Sequence, residues 1–291
     1  MANTKKSPIF GASHESFNRG YDIIGSIAIV KFDRSVKNAE KKKFADDFLR
    51  EHRNIKTVLE KTGKFSGRLR VQKTKYLAGE KTKEALHKES GCIFRLNVES
   101  CYFSPRLSNE RAEISEIVKK DENVLVLFGG VAPFAIAVAK TKKPRKVISI
   151  ELGRECNRYA ADNIKRNKVS DKVGLIQGDV RKILPKMKEN TKKSSIFGAS
   201  KTKRFEVFDR IVMARPNLKD SFLDVTFPHI KKGGMIHYYG FYKESEVDKM
   251  SEMIEQEASK AKKKIKIMKI KKSGDIGPYK FRYRADIKVL N

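Results

Sequence analysis

Apolar and polar positions alternate in a regular way through the second half of the chain. Short runs rich in β-branched residues, such as NVLVLF, KVISIE and VFDRIVMA, are each followed by a stretch with helical spacing, and two further strand-like runs, KIKIMKI and YKFRYRADIKVL, come last. This alternation is typical of an α/β fold with a doubly wound, mainly parallel sheet. We predict a sheet of seven strands over residues 106–291, in which the last two runs form an antiparallel edge.

The first part of the chain has a different pattern. Residues 1–15 are polar and are expected to be a flexible lead-in, and YDIIGSIAIVKF predicts two strands joined at Gly25. Helical spacing of apolar residues then predicts a helix over residues 35–61, with room for a break near Asn54. The short segments RLRVQK, TKYLAGE, EALHKE and CIFRLNVESCYF follow. We predict a smaller mixed α+β domain with a basic sheet over residues 16–105.

The charge balance narrows the choice of partner. Lysine and arginine total 65 against 35 aspartates and glutamates, which gives a formal net charge of +30. Such an excess favours a polyanionic partner, above all a nucleic acid. A membrane surface or an adaptation of the surface to heat or salt are the alternatives, although heat adaptation normally enriches glutamate together with lysine.

Several classes of protein are disfavoured by what the sequence lacks. The three cysteines, Cys92, Cys101 and Cys156, form no CxxC pair and are odd in number, which argues against a disulfide framework and a zinc cluster. No histidine, cysteine or acidic cluster has ligand spacing, so no metal is expected. No apolar run reaches the roughly 18 residues that a membrane helix needs. We expect a cytoplasmic, monomeric protein.

A cofactor signal lies in the predicted parallel sheet. VLVLFGGVAPF is a buried strand followed by Gly129 and Gly130 and by the start of a helix, but it lacks the GxGxxG pattern of dinucleotide folds. The second strand ends at Glu151 and the third at Asp179. A glycine turn followed by these two acids is typical of class I AdoMet-dependent transferases. The ordinary alternative is a tight turn with two solvated strand ends.

The segments YDIIGSIAIV, RLRVQKTKYLAGE, YFSPRLSNER, VLFGGVAPF, DRIVMARP and GGMIHYY resemble the archaeal and eukaryotic tRNA guanine-37 N1-methyltransferases. YFSPRLSNER carries most of this likeness because it is long. The resemblance implies an AdoMet-dependent domain behind a smaller RNA-binding domain, with tRNA as the partner and guanosine N1 beside the anticodon as the methyl acceptor. It also implies AdoMet contacts at Phe128, Gly129, Gly130, Val131, Pro133, Phe134, Glu151, Leu152, Asp179, Val180, Ala214 and Pro216.

The same resemblance assigns two catalytic residues. Guanine N1 carries a proton, so a base must remove it while a donor stabilises the charge that grows on O6. The resemblance places the base at Glu110 and the supporting donor at Arg70, in preference to Arg68. The ordinary alternatives are that Glu110 is a first-turn helix acid and that Arg70 binds phosphate or is solvated. Substrate contacts are expected from Arg106, Arg215 and Asn217.

One departure from the family leaves the substrate open. Where the family reads Asn-Leu-Pro after the fourth strand of the sheet, this chain has Ala214, Arg215 and Pro216. Alanine has no side-chain donor, so Arg215 or Asn217 takes over the guanine contact or the substrate differs. The first alternative is an aminocarboxypropyl transferase or methyltransferase acting on a wybutosine-pathway tRNA intermediate. The second is a noncatalytic RNA-binding protein, which the retained glycine turn and acids disfavour.

Overall fold

The computed structural model describes residues 20–63, 66–189, 207–214, 220–277 and 279–291. The predicted lead-in over residues 1–15 and the predicted site residues Arg215, Pro216 and Asn217 lie outside these ranges.

A four-stranded sheet with the order β1-β2-β3-β4 forms the first part of the described chain. The predicted strand pair joined at Gly25 is confirmed, since β1 and β2 are antiparallel on either side of it. β2 and β3 are parallel, and β3 and β4 are antiparallel. The elements are β1 (Tyr21–Ile24), β2 (Ile27–Val30), α1 (Asn38–Glu51), β3 (Thr57–Lys61) and β4 (Thr74–Gly79).

The helix predicted over residues 35–61 is wrong beyond Glu51, where α1 ends. Residues 57–61 form β3 instead, and its Thr57, Val58 and Leu59 side chains are all buried. A strand buried on both faces has no polar alternation, so its apolar run is easily assigned to the end of a preceding helix. Within the segment RLRVQK, residues 67–70 form a turn closed by an isolated bridge between Ser66 and Val71.

A two-stranded hairpin, β5 (Glu84–Glu89) and β6 (Cys92–Asn97), packs against the large sheet. Its free edge is covered by two asparagines of a helix of that sheet. Asn163 accepts a hydrogen bond from the Arg95 backbone at 2.7 Å, and Asn167 accepts one from Ile93 at 2.9 Å. The amide groups of both asparagines also donate to carbonyls of β6, at 3.0 and 2.6 Å. The predicted domain boundary at residue 105 stays a prediction.

The predicted α/β fold with a seven-stranded, mainly parallel sheet is confirmed. The strand order is β12-β13-β11-β10-β7-β8-β9; β11, β10, β7, β8 and β9 run parallel, and β13 pairs antiparallel with both β11 and β12. The strands are β7 (Asn123–Leu127), β8 (Lys146–Glu151), β9 (Val173–Gln177), β10 (Phe208–Met213), β11 (Ile230–Lys243), β12 (Ile265–Gly277) and β13 (Lys280–Val289).

Helices cover both faces of this sheet, as the doubly wound prediction requires. Val124 and Val126 of β7 pack into one core with α2, α3 and α4, while Leu125 and Leu127 pack into the other with α5, α6 and α7. Side chains alternate along a strand, so a strand that is apolar throughout must be covered on both sides. The helices are α2 (Ser108–Ile117), α3 (Pro133–Lys140), α4 (Arg154–Arg166), α5 (Val180–Glu189), α6 (Leu223–Thr226) and α7 (Val247–Lys260).

The connections on either side of β11 contain 3-10 turns beside their helices. The segment SFLDVTFPHI contains only α6, followed by a 3-10 turn over Phe227–His229, and α7 is preceded by a 3-10 turn over Glu244–Glu246. No helix in the described part of the chain is both long and apolar enough to cross a membrane.

Candidate active site

The turn after β7 brings the backbone very close to the neighbouring strand. A Cβ atom placed on Gly129 would lie 2.0 Å from the Ser149 Oγ of β8, so any larger residue would have to displace this buried hydroxyl. Phe128, Gly130 and Ala132 have positive φ angles of 60°, 56° and 65°. Such conformations are costly for side-chain-bearing residues and persist where the surrounding structure enforces them. The turn is therefore strained at the point where a ligand would approach the sheet.

The two predicted acids lie at the same edge of the sheet. The Glu151 carboxylate accepts hydrogen bonds from the backbone N–H groups of Gly130 at 2.9 Å and Gly153 at 2.7 Å, which fixes its orientation. Asp179 accepts a hydrogen bond from Arg68 Nη2 at 2.6 Å. This contact with Arg68 holds the pKa of the Asp179 carboxyl below its usual range.

A small cleft joins these acids to apolar side chains. Five predicted cofactor residues line it together, and the rings of Phe128 and Phe222 meet edge to face with centroids 5.1 Å apart. Carboxylates beside an apolar wall fit the hydroxyl and amino groups of an adenosine moiety. The lining residues are Phe128, Glu151, Leu152, Asp179 and Val180, which were predicted, and Arg68, Gly178 and Phe222, which were not.

The remaining predicted cofactor residues do not line the cleft. Pro133 is the first residue of α3, and Val131 and Phe134 beside it are buried. Ala214 follows β10 and packs against the core. Arg68 was considered only as the alternative to Arg70, and its place in the cleft was missed because its partner Asp179 lies 111 positions away along the chain.

Glu110 lies in the first turn of α2 and is 5% exposed. Its Oε2 accepts hydrogen bonds from the Tyr239 hydroxyl at 2.9 Å and from Arg284 Nη1 at 2.8 Å. Lys271 Nζ lies 2.9 Å from its Oε1. Arg284 and Lys271 both also contact Glu113. The carboxylate is therefore held in one orientation by a buried network from α2, β11, β12 and β13.

The network continues along β13 and β11. Arg284 donates to both carboxylate oxygens of Asp286, at 2.9 and 3.0 Å, and Asp286 contacts His237 Nδ1 at 2.6 Å. Arg210 Nη1 lies 2.6 Å from His237 Nε2. A guanidinium can only donate, so Nε2 accepts and Nδ1 carries the proton that is donated to Asp286. Burial lowers the pKa of His237 and keeps this imidazole neutral.

Arg111, which follows Glu110 in the chain, has a structural role. It is 2% exposed and donates to Glu89 of the hairpin at 2.6 Å and to the Ser104 carbonyl at 3.0 Å. Its guanidinium also lies 4.9 Å from the ring centre of Phe103. The segment SPRLSNER is therefore held to the β5–β6 hairpin through Arg111 and to the large sheet through Glu110.

A large cavity of about 1500 Å³ opens between the four-stranded sheet and the neighbouring ends of β11, β12 and β13. The predicted residues Arg70 and Arg106 both line it. Arg70 has a positive φ of 54° and its guanidinium lies 4.3 Å from the ring centre of Tyr102, while Arg106 donates to Asp22 at 2.9 Å. Glu110 does not line the cavity itself. Its partner Arg284 lies on β13, two positions from Arg282, and Arg282 does line the cavity.

Comparison with known proteins identifies the family to which this chain belongs. Residues 85–268 match the TRM5/TYW2 methyltransferase domain, and residues 11–82 match the TYW2 N-terminal domain. The tRNA (guanine(37)-N(1))-methyltransferase Trm5b of Pyrococcus abyssi is 31% identical over 92% of this chain and 74% of its own length. The tRNA (guanine(37)-N(1))/4-demethylwyosine(37)-methyltransferase Taw22 of Nanoarchaeum equitans is 32% identical over 93% of this chain and 99% of its own length.

Solved structures share the fold over nearly the whole chain. Trm5b from Pyrococcus abyssi gives a TM-score of 0.80 at 29% identity and covers 100% of this chain and 81% of that one. The complex of aTrm5 with tRNALeu gives 0.78 at 26% identity, with 94% and 72% covered. TYW2 from M. jannaschii in complex with AdoMet gives 0.66 at 25% identity, with 94% and 100% covered. The chain belongs to the TRM5/TYW2 methyltransferase family.

Proposed function

We propose that this protein transfers a methyl group from AdoMet to N1 of guanosine 37 in tRNA. The observation that carries the proposal is Glu110, a buried carboxylate oriented by Arg284 and Tyr239 next to a basic cavity that contains Arg70. The activity for which the Pyrococcus abyssi relative is named supports the choice of guanosine 37. The net charge of +30 supports a nucleic acid substrate.

The cleft residues would hold the cofactor. Glu151 and Asp179 offer carboxylate oxygens to the adenosine hydroxyl and amino groups, and Phe128 and Phe222 provide the apolar wall. AdoMet supplies a methyl group on a sulfonium that is already an activated donor. The protein's own contribution is then to align the acceptor nitrogen and to remove its proton.

Three residues would remove the N1 proton, stabilise the charge on O6 and position the base. Glu110 takes the N1 proton as guanine becomes nucleophilic. Arg70 donates to O6, where negative charge grows as that proton leaves. Tyr102, whose ring lies 4.3 Å below the Arg70 guanidinium, keeps that donor in place and offers an aromatic surface to a flipped base.

A second candidate is methylation of a wybutosine-pathway nucleotide at the same position. It is favoured by the Taw22 relative, which is named for both guanosine and 4-demethylwyosine and is covered over 99% of its length. Ala214 also favours this candidate. It stands where the family has an asparagine that contacts guanine, and the smaller side chain leaves more room for a larger base.

A substrate panel separates the two candidates. The protein is incubated with methyl-labelled AdoMet and with tRNA that carries guanosine, adenosine or 4-demethylwyosine at position 37. We expect label in the guanosine tRNA and none in the adenosine tRNA. Label in the 4-demethylwyosine tRNA alone would replace the first candidate with the second. Aminocarboxypropyl transfer would release methylthioadenosine, which keeps the methyl label, and would show as added mass on an unlabelled nucleoside. That result would contradict both candidates.

A further inference from the structure

Three neighbouring cross-strand pairs of β11 and β13 place polar or aromatic side chains on one face of the sheet. In the first pair a carboxylate contacts an imidazole, and in the second an arginine contacts the carboxylate of Glu110. The third pair contains an arginine opposite a phenylalanine. The pairs are His237 with Asp286, Tyr239 with Arg284, and Phe241 with Arg282.

Arg282 is a buried cation with no acidic partner in the described part of the chain. It is 4% exposed, and its Nε is buried without a hydrogen-bond partner. Its guanidinium lies 5.4 Å from the ring centre of Phe241. Burial lowers the pKa of Arg282 and the positive charge of Arg70 lowers it further, while Tyr102, Tyr239 and the Glu110 carboxylate oppose part of this shift. A buried charge without an ion-pair partner destabilises a folded protein. An anion from outside the chain that bound Arg282 would offset this cost.

The side chains that line the same cavity as Arg282 carry an excess of positive charge. Nine lysine or arginine side chains and four aspartate or glutamate side chains line it. Two of those acids are already bound: Asp22 to Arg106 at 2.9 Å and Glu60 to Lys41 at 2.6 Å. Arg282 therefore faces a space of about 1500 Å³ that attracts anions and is larger than a typical small-molecule pocket.

We propose that Arg282 anchors a phosphate group of the RNA chain in this cavity, beside the nucleotide that reacts near Arg70. The inference rests on the proposed function, which makes tRNA the substrate. A phosphate carries a permanent negative charge and two oxygens that match the guanidinium fork, so it compensates the buried cation. The edge of a neutral base would offer hydrogen-bond acceptors but no such charge.

The test combines RNA binding with stability. Arg282→Met is compared with Lys288→Met, which removes an exposed cation from the same strand outside the cavity. Binding of an unmodified tRNA transcript is measured by fluorescence anisotropy over a series of KCl concentrations. We expect Arg282→Met to weaken binding about ten-fold or more and to reduce the slope of log affinity against log salt by about 0.7 to 1. We expect Lys288→Met to change neither.

Thermal unfolding of the free protein provides the second readout. Because Arg282 is buried without a counter-charge, Arg282→Met should unfold at the same or a higher temperature than the wild type. Arg282→Lys should keep the salt slope but bind less tightly, since a lysine keeps the charge and loses the fork.

Three results would overturn the proposal. An unchanged salt slope in Arg282→Met would mean that no phosphate is bound there, even if turnover fell. A clear drop in its unfolding temperature would make Arg282 a structural residue. Equal effects of Arg282→Met and Lys288→Met would make the contribution one of general charge. Neither the binding assay nor the unfolding assay requires methyl transfer. A failure of the proposed reaction would therefore be seen separately, as wild-type protein that binds tRNA but transfers no methyl group.

Discussion

Substitution of Glu110 by glutamine isolates the proposed base from the network that holds it. Glutamine keeps the size of the side chain and can still accept a hydrogen bond from Tyr239 or Arg284, but it cannot take the N1 proton. A positioned general base contributes roughly 100-fold to 10,000-fold to a rate. We therefore expect turnover in Glu110→Gln to fall by that factor, while the affinities for tRNA and AdoMet stay close to wild type.

The chain provides a matched control in Glu113. It lies one helical turn from Glu110 and shares the same two cations, since Arg284 contacts the two acids at 2.8 and 2.7 Å and Lys271 contacts both. Glu113→Gln and Glu110→Gln each remove one negative charge from this cluster. Glu113 is the more exposed side chain, at 34% against 6% for Glu110, so its charge is better screened. Only Glu110→Gln should remove a base.

Single-turnover methyl transfer, with tRNA and AdoMet both saturating, measures the chemical step without product release. We expect Glu113→Gln to retain turnover within a few-fold of wild type. Equal losses in the two variants would contradict the assignment of Glu110 as the base, because the defect would then come from the charge of the network. Near-normal turnover in Glu110→Gln would exclude Glu110 as the base.

Three further predictions follow from the site and its supports. Asp179→Asn should weaken AdoMet binding about ten-fold by calorimetry, as a charged hydrogen-bond acceptor is lost; unchanged affinity would contradict its role. Gly129→Ala should destabilise the fold by about 1–3 kcal/mol in urea, because its Cβ would meet Ser149 at 2.0 Å; an unchanged midpoint would contradict this. The pKa of His237 is lowered by burial, so its contribution to stability is complete above the unfolded pKa of about 6.5 and is lost as the pH falls below it. Urea unfolding at pH 7.5 and 5.5 should show this loss, and His237→Gln should reduce it; equal pH dependence in both proteins would contradict it.

The large sheet was predictable because its local signals agree with its tertiary structure. Parallel strands such as β7 and β8 are buried on both faces and separated by helices, so they appear as apolar runs at regular intervals. The acids Glu151 and Asp179 could be placed at one edge for the same reason, since parallel strands end together. The error at residues 52–61 has the opposite origin, because only the pairing of β3 with β2 distinguishes that strand from a continued helix.

The polar network was not predictable from the pattern. YKFRYRADIKVL was assigned to a strand of an antiparallel edge, where alternating arginines would be solvated. In the structure β13 lies between β11 and β12, so Arg282 and Arg284 are buried. Arg284 contacts Glu110 and Glu113 of α2, and Arg282 lies against the Phe241 ring of β11. No local spacing records such contacts. Glu110 was found only through the resemblance of SPRLSNER, and Arg70 likewise through RLRVQK.

The most direct test of the central claim is the identity of the modified nucleoside. Purified protein is incubated with methyl-labelled AdoMet and a tRNA transcript that carries guanosine at position 37, and the RNA is digested and analysed by mass spectrometry. We expect 1-methylguanosine, located at position 37 and absent when that position is adenosine. Label in another nucleoside, or no label although the protein binds both AdoMet and tRNA, would contradict it.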